Sequence, residues 1–238
     1  MTDYRIEAVD ALDFRMTSGV WDFAQAHADE IAAHWRRRTA EQPKLFNGRM
    51  LMLARHAVEG RTLRGEFIET DFADFLAWRD FGFPASNACN GFSMAALRGA
   101  DGAFLLGEMS PHTASAGAIY FPAGTPDPQD VFDGVVDLEA SARRELTEET
   151  GLDPSEAEIA PGWAIVRSPG RVACMKPMRL RVAAEAARAR IQAQLDGEAR
   201  PEFARIHVVR GEADFLPRMS EFVRKYMGWV WERERERG

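Results

Sequence analysis

The sequence predicts an α/β fold in which helices cover a mixed sheet. Short apolar runs bounded by Gly, Pro, Asn and Asp predict strands, and they alternate with stretches in which apolar residues recur at helical spacing. The chain has 238 residues, of which 46% are hydrophobic and 28% charged. It is therefore long enough for one large domain or two small ones.

Residues 1–88 are predicted to form a small α/β extension. Apolar residues at helical spacing predict a helix over residues 18–38, with Ser18 as its N-cap. The Asn47-Gly48 dipeptide and the apolar run after it predict strands joined by tight connections. The segment "DFADFLAWRDFGFP" predicts a short helix that ends before Pro84. Its aromatic residues favour core packing, with a base-stacking surface as the alternative; they are Phe72, Phe75 and Trp78.

Residues 89–238 are predicted to form a second, larger unit. The segment "GFSMAALRGADGAFLLGEM" predicts two strands joined by a turn over residues 99–102. After a further strand and a loop, apolar residues that lie four apart predict a helix, at Leu138, Ala142 and Leu146. Gly151 is expected to end that helix. We also predict strands near "WAIVRS", "MKPMRLRVAA" and "FARIHVVR", a helix around "AARARIQAQL" and a final helix from about Met219.

Composition narrows the classes of function. The formal net charge is −7 and no long basic stripe offsets it, which argues against a nucleic-acid binder. No apolar run approaches the roughly 20 residues that a membrane span needs, and "MTDYRIEAVDALDF" lacks the features of a signal peptide. We therefore expect a cytoplasmic protein that does not associate with a membrane, in which Cys89 and Cys174 are buried reduced thiols.

The segment "ARRELTEETGL" concentrates negative charge at the end of the predicted helix. Spacings of three and four place three carboxylates on one side of that helix, those of Glu145, Glu148 and Glu149. One interpretation is an exposed helix end paired with Arg143 and Arg144. However, the last turns of a helix favour cations over carboxylates. Clustered carboxylates are the ligands of hard divalent ions, so Mg²⁺ or Mn²⁺ is the second interpretation.

The stretch "RELTEETGL" resembles the second half of the Nudix box. That signature is Gly, five residues, Glu, seven residues, and then Arg-Glu-(aliphatic)-x-Glu-Glu-x-Gly-(aliphatic). Every specified position from Arg144 to Leu152 matches, and a Pro-Gly-containing turn, "FPAG", precedes the box as is common in the family. The resemblance implies a Nudix-type α/β/α sandwich with a mixed sheet over about residues 89–238, preceded by the α/β extension.

The first half of the box does not match. The family's Glu falls on Val136 and its Gly on Asp130, so one acidic group is missing. Asp133 or Asp137 could replace it, although Asp137 is equally suited to be an N-cap. The layout is similar to that of a divergent Nudix subgroup that hydrolyses UDP-glucose and also carries an N-terminal extension.

The resemblance implies a pyrophosphohydrolase that uses Mg²⁺ or Mn²⁺ to cleave a nucleoside-diphosphate-linked small molecule, with a nucleotide-sugar as the best single substrate class. By family analogy Glu148 and Glu149 are metal ligands, and Glu145 is a further ligand or the base. Arg144 orients the glutamates. The alternative is a Nudix-like module that binds a nucleotide derivative without cleaving it, and the missing glutamate favours that alternative.

Five other polar residues are candidates for the site. In some family members a later loop supplies the base, which here points to Glu202 or Glu198, although both could be exposed loop carboxylates. His112 and Arg167 are candidate substrate-binding residues, with an unengaged loop and hairpin as the alternative. Arg171 follows the same turn as Arg167 and could also supply positive charge. We expect the extension to line one wall of the site, and the apolar last helix to pack on its own domain or across a homodimer.

Overall fold

The computed structural model describes residues 4–237, which form two sheets and six α-helices. No helix within these residues is both long and apolar enough to cross a membrane. In chain order the strands are β1 (Arg5–Val9), β2 (Ala11–Met16), β3 (Arg49–Glu59), β4 (Thr62–Asp71), β5 (Asn90–Arg98), β6 (Phe104–Met109), β7 (Ile119–Tyr120), β8 (Ala123–Gly124), β9 (Val131–Phe132), β10 (Val135–Val136), β11 (Ala157–Ile159), β12 (Trp163–Ser168), β13 (Arg171–Leu180) and β14 (Phe203–Val209). The helices are α1 (Asp22–Ala26), α2 (Ala28–Glu41), α3 (Phe72–Asp80), α4 (Leu138–Thr150), α5 (Ala184–Asp196) and α6 (Glu221–Arg237).

The larger sheet is mixed and has helices on both faces. Its main strand order is β1-β12-β13-β5-β6-β14, and β5 runs parallel to β13 while the other neighbours are antiparallel. Alternation along β6 places Phe104 against Tyr226 of α6 and Leu105 in the core formed with α4 and α5. The predicted α/β/α sandwich is thereby confirmed.

The smaller sheet, of order β3-β4-β2-β10-β9, packs against both helices and the larger sheet. Helices α1 to α3 cover one face, where Trp21 and Trp78 are almost fully buried. The opposite face shares a hydrophobic core with the larger sheet, in which Phe67 lies in the same cluster as Ile165 and Cys174. The small sheet therefore buries part of the larger sheet that α4 and α5 leave uncovered.

The extension and the larger unit exchange strands. Strand β1 belongs to the extension but pairs with β12 in the larger sheet. Strands β9 and β10 lie in the loop before α4 but join the smaller sheet, where Val135 pairs with Arg15 of β2. The predicted boundary at residue 88 therefore does not separate the two sheets. The sequence analysis missed these strands because they are short and lack a long apolar run.

Three local predictions were wrong. The single helix over residues 18–38 is two helices, because the backbone leaves helical geometry at His27, whose ring lies 4.7 Å from that of Phe23. The first helix begins at Asp22, so Ser18 is not its N-cap. Asn47 does not form a hairpin turn; its side chain accepts a hydrogen bond from the backbone of Ala73 at the start of α3. The other predicted strands and helices are present. Both cysteines are free thiols as predicted, but only Cys174 is buried, whereas Cys89 is half-buried.

Candidate active site

Helix α4 presents the three glutamates of "RELTEE", and local sequence fixes both of its ends. Asp137 is the N-cap and accepts hydrogen bonds from the backbone of Glu139 at 3.0 Å and Ala140 at 2.9 Å. Gly151 ends the helix in the left-handed region at φ 67°. Asp137 therefore caps the helix, and the buried face that carries Leu146 holds it against β5.

The three glutamates differ in their surroundings. Glu149 is 1% exposed, and its Oε2 accepts a hydrogen bond of 2.9 Å from the backbone of Ala123 in β8. Glu145 packs on the next residue, Gly124, where an added Cβ would lie 2.1 Å from its Oε1. The side chain of Glu148 is exposed. Strand β8 and helix α4 thus hold two of the carboxylates in place by backbone contacts.

A fourth carboxylate, that of Glu202, joins them from the loop before β14. Burial and the negative charges of Glu202 and Glu145 raise the pKa of Glu149. Burial raises the pKa of Glu145 to about 7, against the opposing charge of Arg144. Glu202 is exposed as a residue, but protein atoms around its carboxylate and the charge of Glu148 raise its pKa as well. Burial and mutual repulsion both disfavour the fully ionised group, which therefore suits a counter-cation.

Arg144 is the cation closest to the glutamates. Its Nη1 lies 2.9 Å from Glu145 and 3.2 Å from Glu148. Its Nη2 lies 3.2 and 3.1 Å from the two carboxylate oxygens of Asp130, a residue that is 3% exposed. Burial disfavours the charge of Arg144, but these carboxylates raise its pKa. Asp130 therefore fixes one end of the guanidinium while the other end faces the helix.

Two adjoining cavities lie beside these residues. The first, of about 450 Å³, is lined by Glu145 and Glu202 and is called the glutamate cavity below. The second, of about 460 Å³, is lined by Arg171 and is called the arginine cavity. Shared lining residues join them, among them Phe75, Arg79, Tyr120 and Gly124. Together they can hold an extended molecule with one end at the glutamates.

The extension supplies one wall of both cavities. Phe46 and Arg49 line the glutamate cavity, and Phe46 is 82% exposed, which is unusual for so large an apolar side chain. The helix α3 contributes Phe72 to the same cavity and Phe75 to both. Trp78 is 1% exposed and belongs to the core, as its spacing predicts. The aromatic residues of α3 thus divide between core packing and the cavity wall.

Comparison with known proteins identifies the fold family. A family model described as NUDIX domain matches residues 90–226, more than half of the chain. The chain belongs to the Nudix family. The prediction that it is an enzyme of the Nudix hydrolase class is thereby confirmed, and a small-molecule substrate follows from the family. No curated protein matches the chain.

Several solved Nudix structures are similar to the chain. The MutT protein from Methanosarcina mazei Go1 is 20% identical and covers 61% of this chain and 94% of its own, with a TM-score of 0.41. RenU, a Nudix hydrolase from M. smegmatis, is 16% identical over 61% of this chain and 82% of its own, with a TM-score of 0.36. A variant of the Bacillus subtilis pyrophosphohydrolase BsRppH is 16% identical over 65% of this chain and 86% of its own, with a TM-score of 0.36.

The residues in the divergent first half of the Nudix box take part in core packing, a turn, a helix cap and an ion pair. Val136, at the position of the family's Glu, is 3% exposed and packs in the core between the sheets. Asp133 occupies a turn at φ 49° and is exposed, so neither it nor Asp137 faces the glutamates. Asp130, at the position of the family's Gly, supplies the carboxylate that pairs with Arg144. The Asp-Pro-Gln-Asp run is a local signal for the turn that Asp130 closes, but it does not indicate the pairing with Arg144.

The donor set fits a hard divalent ion, but the side chains are not arranged around one. Within residues 4–237 no group of three or more His, Cys, Asp or Glu side chains has the geometry of a ready metal site. Glu145 and Glu148 instead both contact Nη1 of Arg144. Carboxylate oxygens are the ligands that Mg²⁺ and Mn²⁺ prefer. The chemistry of the cluster and its like-charge repulsion therefore suit a cation, which would share the carboxylates with Arg144.

The two predicted substrate-binding residues lie outside both cavities. His112 is exposed, and the next three residues of the same loop, Thr113, Ala114 and Ser115, line the glutamate cavity instead. Arg167 donates a hydrogen bond of 3.0 Å to Glu7 and lies 2.6 Å from a ring nitrogen of His56. The geometry therefore gives neither assignment any support.

Of the other candidates, the structure brings two to the cavities. Glu198 accepts a hydrogen bond from Gln194 and is absent from the cavity linings, whereas Glu202 faces the glutamate cavity. Arg171 lines the arginine cavity, and Arg79, which sequence analysis did not single out, lines both.

Proposed function

We propose that this Nudix hydrolase cleaves the diphosphate of a nucleoside-diphosphate-linked small molecule, with a nucleotide-sugar as the first substrate class to test and Mg²⁺ or Mn²⁺ as its cofactor. The observation that carries the proposal is that Glu145 and Glu202 line one cavity, next to the buried Glu149 of α4, which is hydrogen-bonded to Ala123 of β8. Carboxylates from two separate elements thus converge on a space of substrate size. The cytoplasmic location stays a prediction.

Different residues of the chain would bind the cation, position the carboxylates and accept a proton. Glu145, Glu148 and Glu149 would hold the cation, which when bound neutralises the diphosphate and acidifies water. Arg144 is a positioning residue, because its contacts with Asp130 and the glutamates fix where the carboxylates point. Glu202 approaches the cavity from another element, and burial raises its pKa, which makes it a stronger proton acceptor than an ordinary carboxylate and suits the role of general base.

The extension is proposed to recognise the nucleoside. Phe46, Phe72 and Phe75 offer aromatic surface on the wall of the glutamate cavity, and bases stack on such rings. Arg49 stands on the same wall, paired with Glu69 and Asp71. An aromatic wall opposite a carboxylate cluster fits a molecule that joins a base to a diphosphate.

A Nudix-like module that only binds is the alternative. The missing box glutamate, replaced by the buried Val136, favours it. Asp130 counts against it, because that residue supplies Arg144 with a carboxylate partner from a different position. The Asp130–Arg144 pair therefore keeps Arg144 oriented even though the box glutamate is missing at Val136.

The deciding experiment is a substrate panel. The purified protein is incubated with nucleotide-sugars, dinucleotides, coenzyme A and nucleoside triphosphates, with Mg²⁺, with Mn²⁺ or with EDTA, and the products are identified by mass. Metal-dependent release of two phosphate monoesters from one compound supports the proposal. Clear binding of a compound without turnover, for the wild type and under every metal condition, supports the binding module instead.

A further inference from the structure

The arginine cavity contains a cation that the cleavage of a diphosphate does not explain. Arg171 is the first residue of β13, directly after the turn at Gly170. That turn is pressed against the extension, since a Cβ on Gly170 would lie 3.0 Å from the Trp78 ring and 3.1 Å from Phe83. The close approach sets the start of β13, and therefore Arg171, against the aromatic wall.

Aromatic rings hold the Arg171 guanidinium, and no acceptor among the described residues uses its N–H groups. Its Cζ lies 4.2 Å from the ring centroid of Phe83 and 6.0 Å from that of Phe222. Within residues 4–237 it has no carboxylate at ion-pair distance and donates no hydrogen bond to the protein. A mostly desolvated guanidinium without an acceptor is costly, and it offers a planar fork that suits a carboxylate or a phosphate.

The backbone of Phe83, whose ring lies against the Arg171 guanidinium, is strained. Phe83 has φ 60°, a conformation that bulky residues avoid. It is kept there by a hydrogen bond of 3.0 Å from its backbone N–H to the carbonyl of Trp78, and by edge contact with that ring at 4.9 Å. Strained residues of this kind concentrate at ligand sites.

The other charged side chains that line the arginine cavity already have polar partners. Glu221, the one carboxylate among the lining residues, accepts a hydrogen bond from Tyr4 at 3.4 Å. Arg79 lies 3.1 Å from Asp80 and donates to the carbonyl of Ala114. Arg171 is thus the uncommitted cation of this cavity.

We propose that Arg171 binds a second anionic group of the substrate, a carboxylate or a phosphate monoester, on a part of the molecule that lies beyond the cleaved diphosphate. This inference rests on the proposed function. Its location follows from the cavity linings: Glu145 and Glu202 line only the glutamate cavity, and Arg171 lines only the arginine cavity. An extended substrate with its diphosphate at the glutamates therefore reaches Arg171 with its other end.

The test uses compounds that differ by one anionic group. Two matched pairs carry the added group on the part of the molecule away from the nucleoside: UDP-glucose with UDP-glucuronate for a carboxylate, and UDP-glucose with UDP-glucose 6-phosphate for a phosphate monoester. kcat/KM is measured for wild type, Arg171→Gln and Arg171→Lys. Arg179→Gln is the control, because Arg179 lies on the same strand, is exposed and is absent from both cavity linings.

We expect wild type to prefer the more anionic member of at least one pair. Arg171→Gln should lower kcat/KM for that member by about ten- to a hundredfold, the scale of hydrogen bonds to charged groups, and change its neutral partner less than about threefold. Arg171→Lys should recover part of the loss because it restores charge but not the fork. Equal losses for both members, or no preference in a wild type that turns over both, overturn the inference.

Failure of the proposed function looks different. In that case wild type turns over no compound, and binding is then followed by calorimetry with the same pairs. A preference for the anionic member that disappears in Arg171→Gln supports the inference even without hydrolysis, and equal affinities in wild type refute it. Melting temperatures of the variants establish that each is folded. If Arg171→Gln does not fold, Arg171→Lys is compared with wild type in its place.

Discussion

Asp130 and Arg144 form a two-point ion pair, with Nη2 of the arginine 3.2 and 3.1 Å from the two carboxylate oxygens. The carboxylate is buried, and it also accepts a hydrogen bond of 3.1 Å from the backbone of Asp127. The same guanidinium contacts Glu145 and Glu148 through its other nitrogen. The pair therefore links the divergent loop to the glutamates of the Nudix box.

The first prediction concerns this pair. Asp130→Asn should lower the free energy of unfolding by about 2 kcal/mol, because it removes one partner of a partly buried ion pair. It should also lower turnover, since Arg144 loses the contact that orients it. Asp133→Asn is the control, because Asp133 is exposed in the neighbouring turn. Denaturant unfolding and kcat are measured for both; a variant Asp130→Asn that matches wild type in both would contradict the assigned role.

The contrast between Asp130 and Glu149 shows what sequence can predict here. Glu149 is placed by its spacing within one helix, and its helix begins and ends at residues with clear local signals, Asp137 and Gly151. Asp130 reaches Arg144 only because β9 and β10 join the smaller sheet and turn the loop back. Strands of two residues leave no periodic pattern, so the partner of Arg144 could not be read from the sequence.

Local sequence signals also explain which strands of the sheets could be predicted and which could not. Apolar runs such as β5 and β12 could be predicted because each is buried along most of its length and is therefore apolar at successive positions. Strand β1 was missed because its burial alternates weakly and its partner, β12, lies far along the chain. Arg171 and Arg79 meet in a cavity through the packing of the extension on the Nudix domain, which no local pattern encodes.

The second prediction is that the Nudix domain does not fold without the extension. A chain that begins at Ala88 lacks β1 and the small-sheet strands that cover Ile165, Val172 and Cys174 in the shared core. Exposure of that apolar face should give an aggregated or unfolded product. Circular dichroism and size-exclusion chromatography of the truncated chain decide this, and a folded monomer would show that the larger sheet is stable alone.

The third prediction tests the aromatic wall. Phe46 is 82% exposed, so Phe46→Ala should change the free energy of unfolding by less than about 0.5 kcal/mol. It should nevertheless raise KM about three- to tenfold, the scale of a lost stacking contact. Phe132→Ala is the matched control, since Phe132 is 62% exposed and lines neither cavity. Equal KM values for the two variants would remove Phe46 from the substrate site.

The fourth prediction concerns pH and the buried Lys176, whose Nζ lies 2.7 Å from Glu139. Burial alone would raise the pKa of Glu139, but hydrogen bonds from Lys176 and Arg143 lower it overall. A carboxyl with a lowered pKa stabilises the fold above its unfolded value of about 4.3, and this stability is lost as pH falls through the folded pKa.

Glu139→Gln should therefore cost about 1–2 kcal/mol at neutral pH, since water screens the partly exposed carboxylate. The difference from wild type should shrink as the pH falls below about 4. Unfolding curves across this range measure it, with Glu158→Gln, an exposed residue of β11, as the control. A difference that is independent of pH would mean that Glu139 acts through packing and not through its charge.

The last prediction addresses the glutamates on which the proposed function rests. Glu149 is buried among like charges, so adding Mg²⁺ or Mn²⁺ should raise the melting temperature by mass action. Glu149→Gln keeps the shape and removes one charge, which should relieve repulsion in the metal-free protein and raise its melting temperature. The same change should lower turnover by about a hundredfold or more, as expected when a charge-stabilising group is lost.

Glu149→Gln is thus expected to raise the melting temperature of the metal-free protein and to lower turnover. This combination distinguishes a metal site from an ordinary helix end. Exposed ion pairs contribute only about 0 to 1 kcal/mol to the free energy of unfolding, so a surface cluster of carboxylates predicts neither effect. Melting temperatures with metal and with EDTA, together with turnover, are compared for wild type, Glu149→Gln and the exposed control Glu158→Gln. If Glu149→Gln keeps both its activity and the full metal-induced shift, Glu149 does not bind the cation, and the assignment of the site to the end of α4 fails with it.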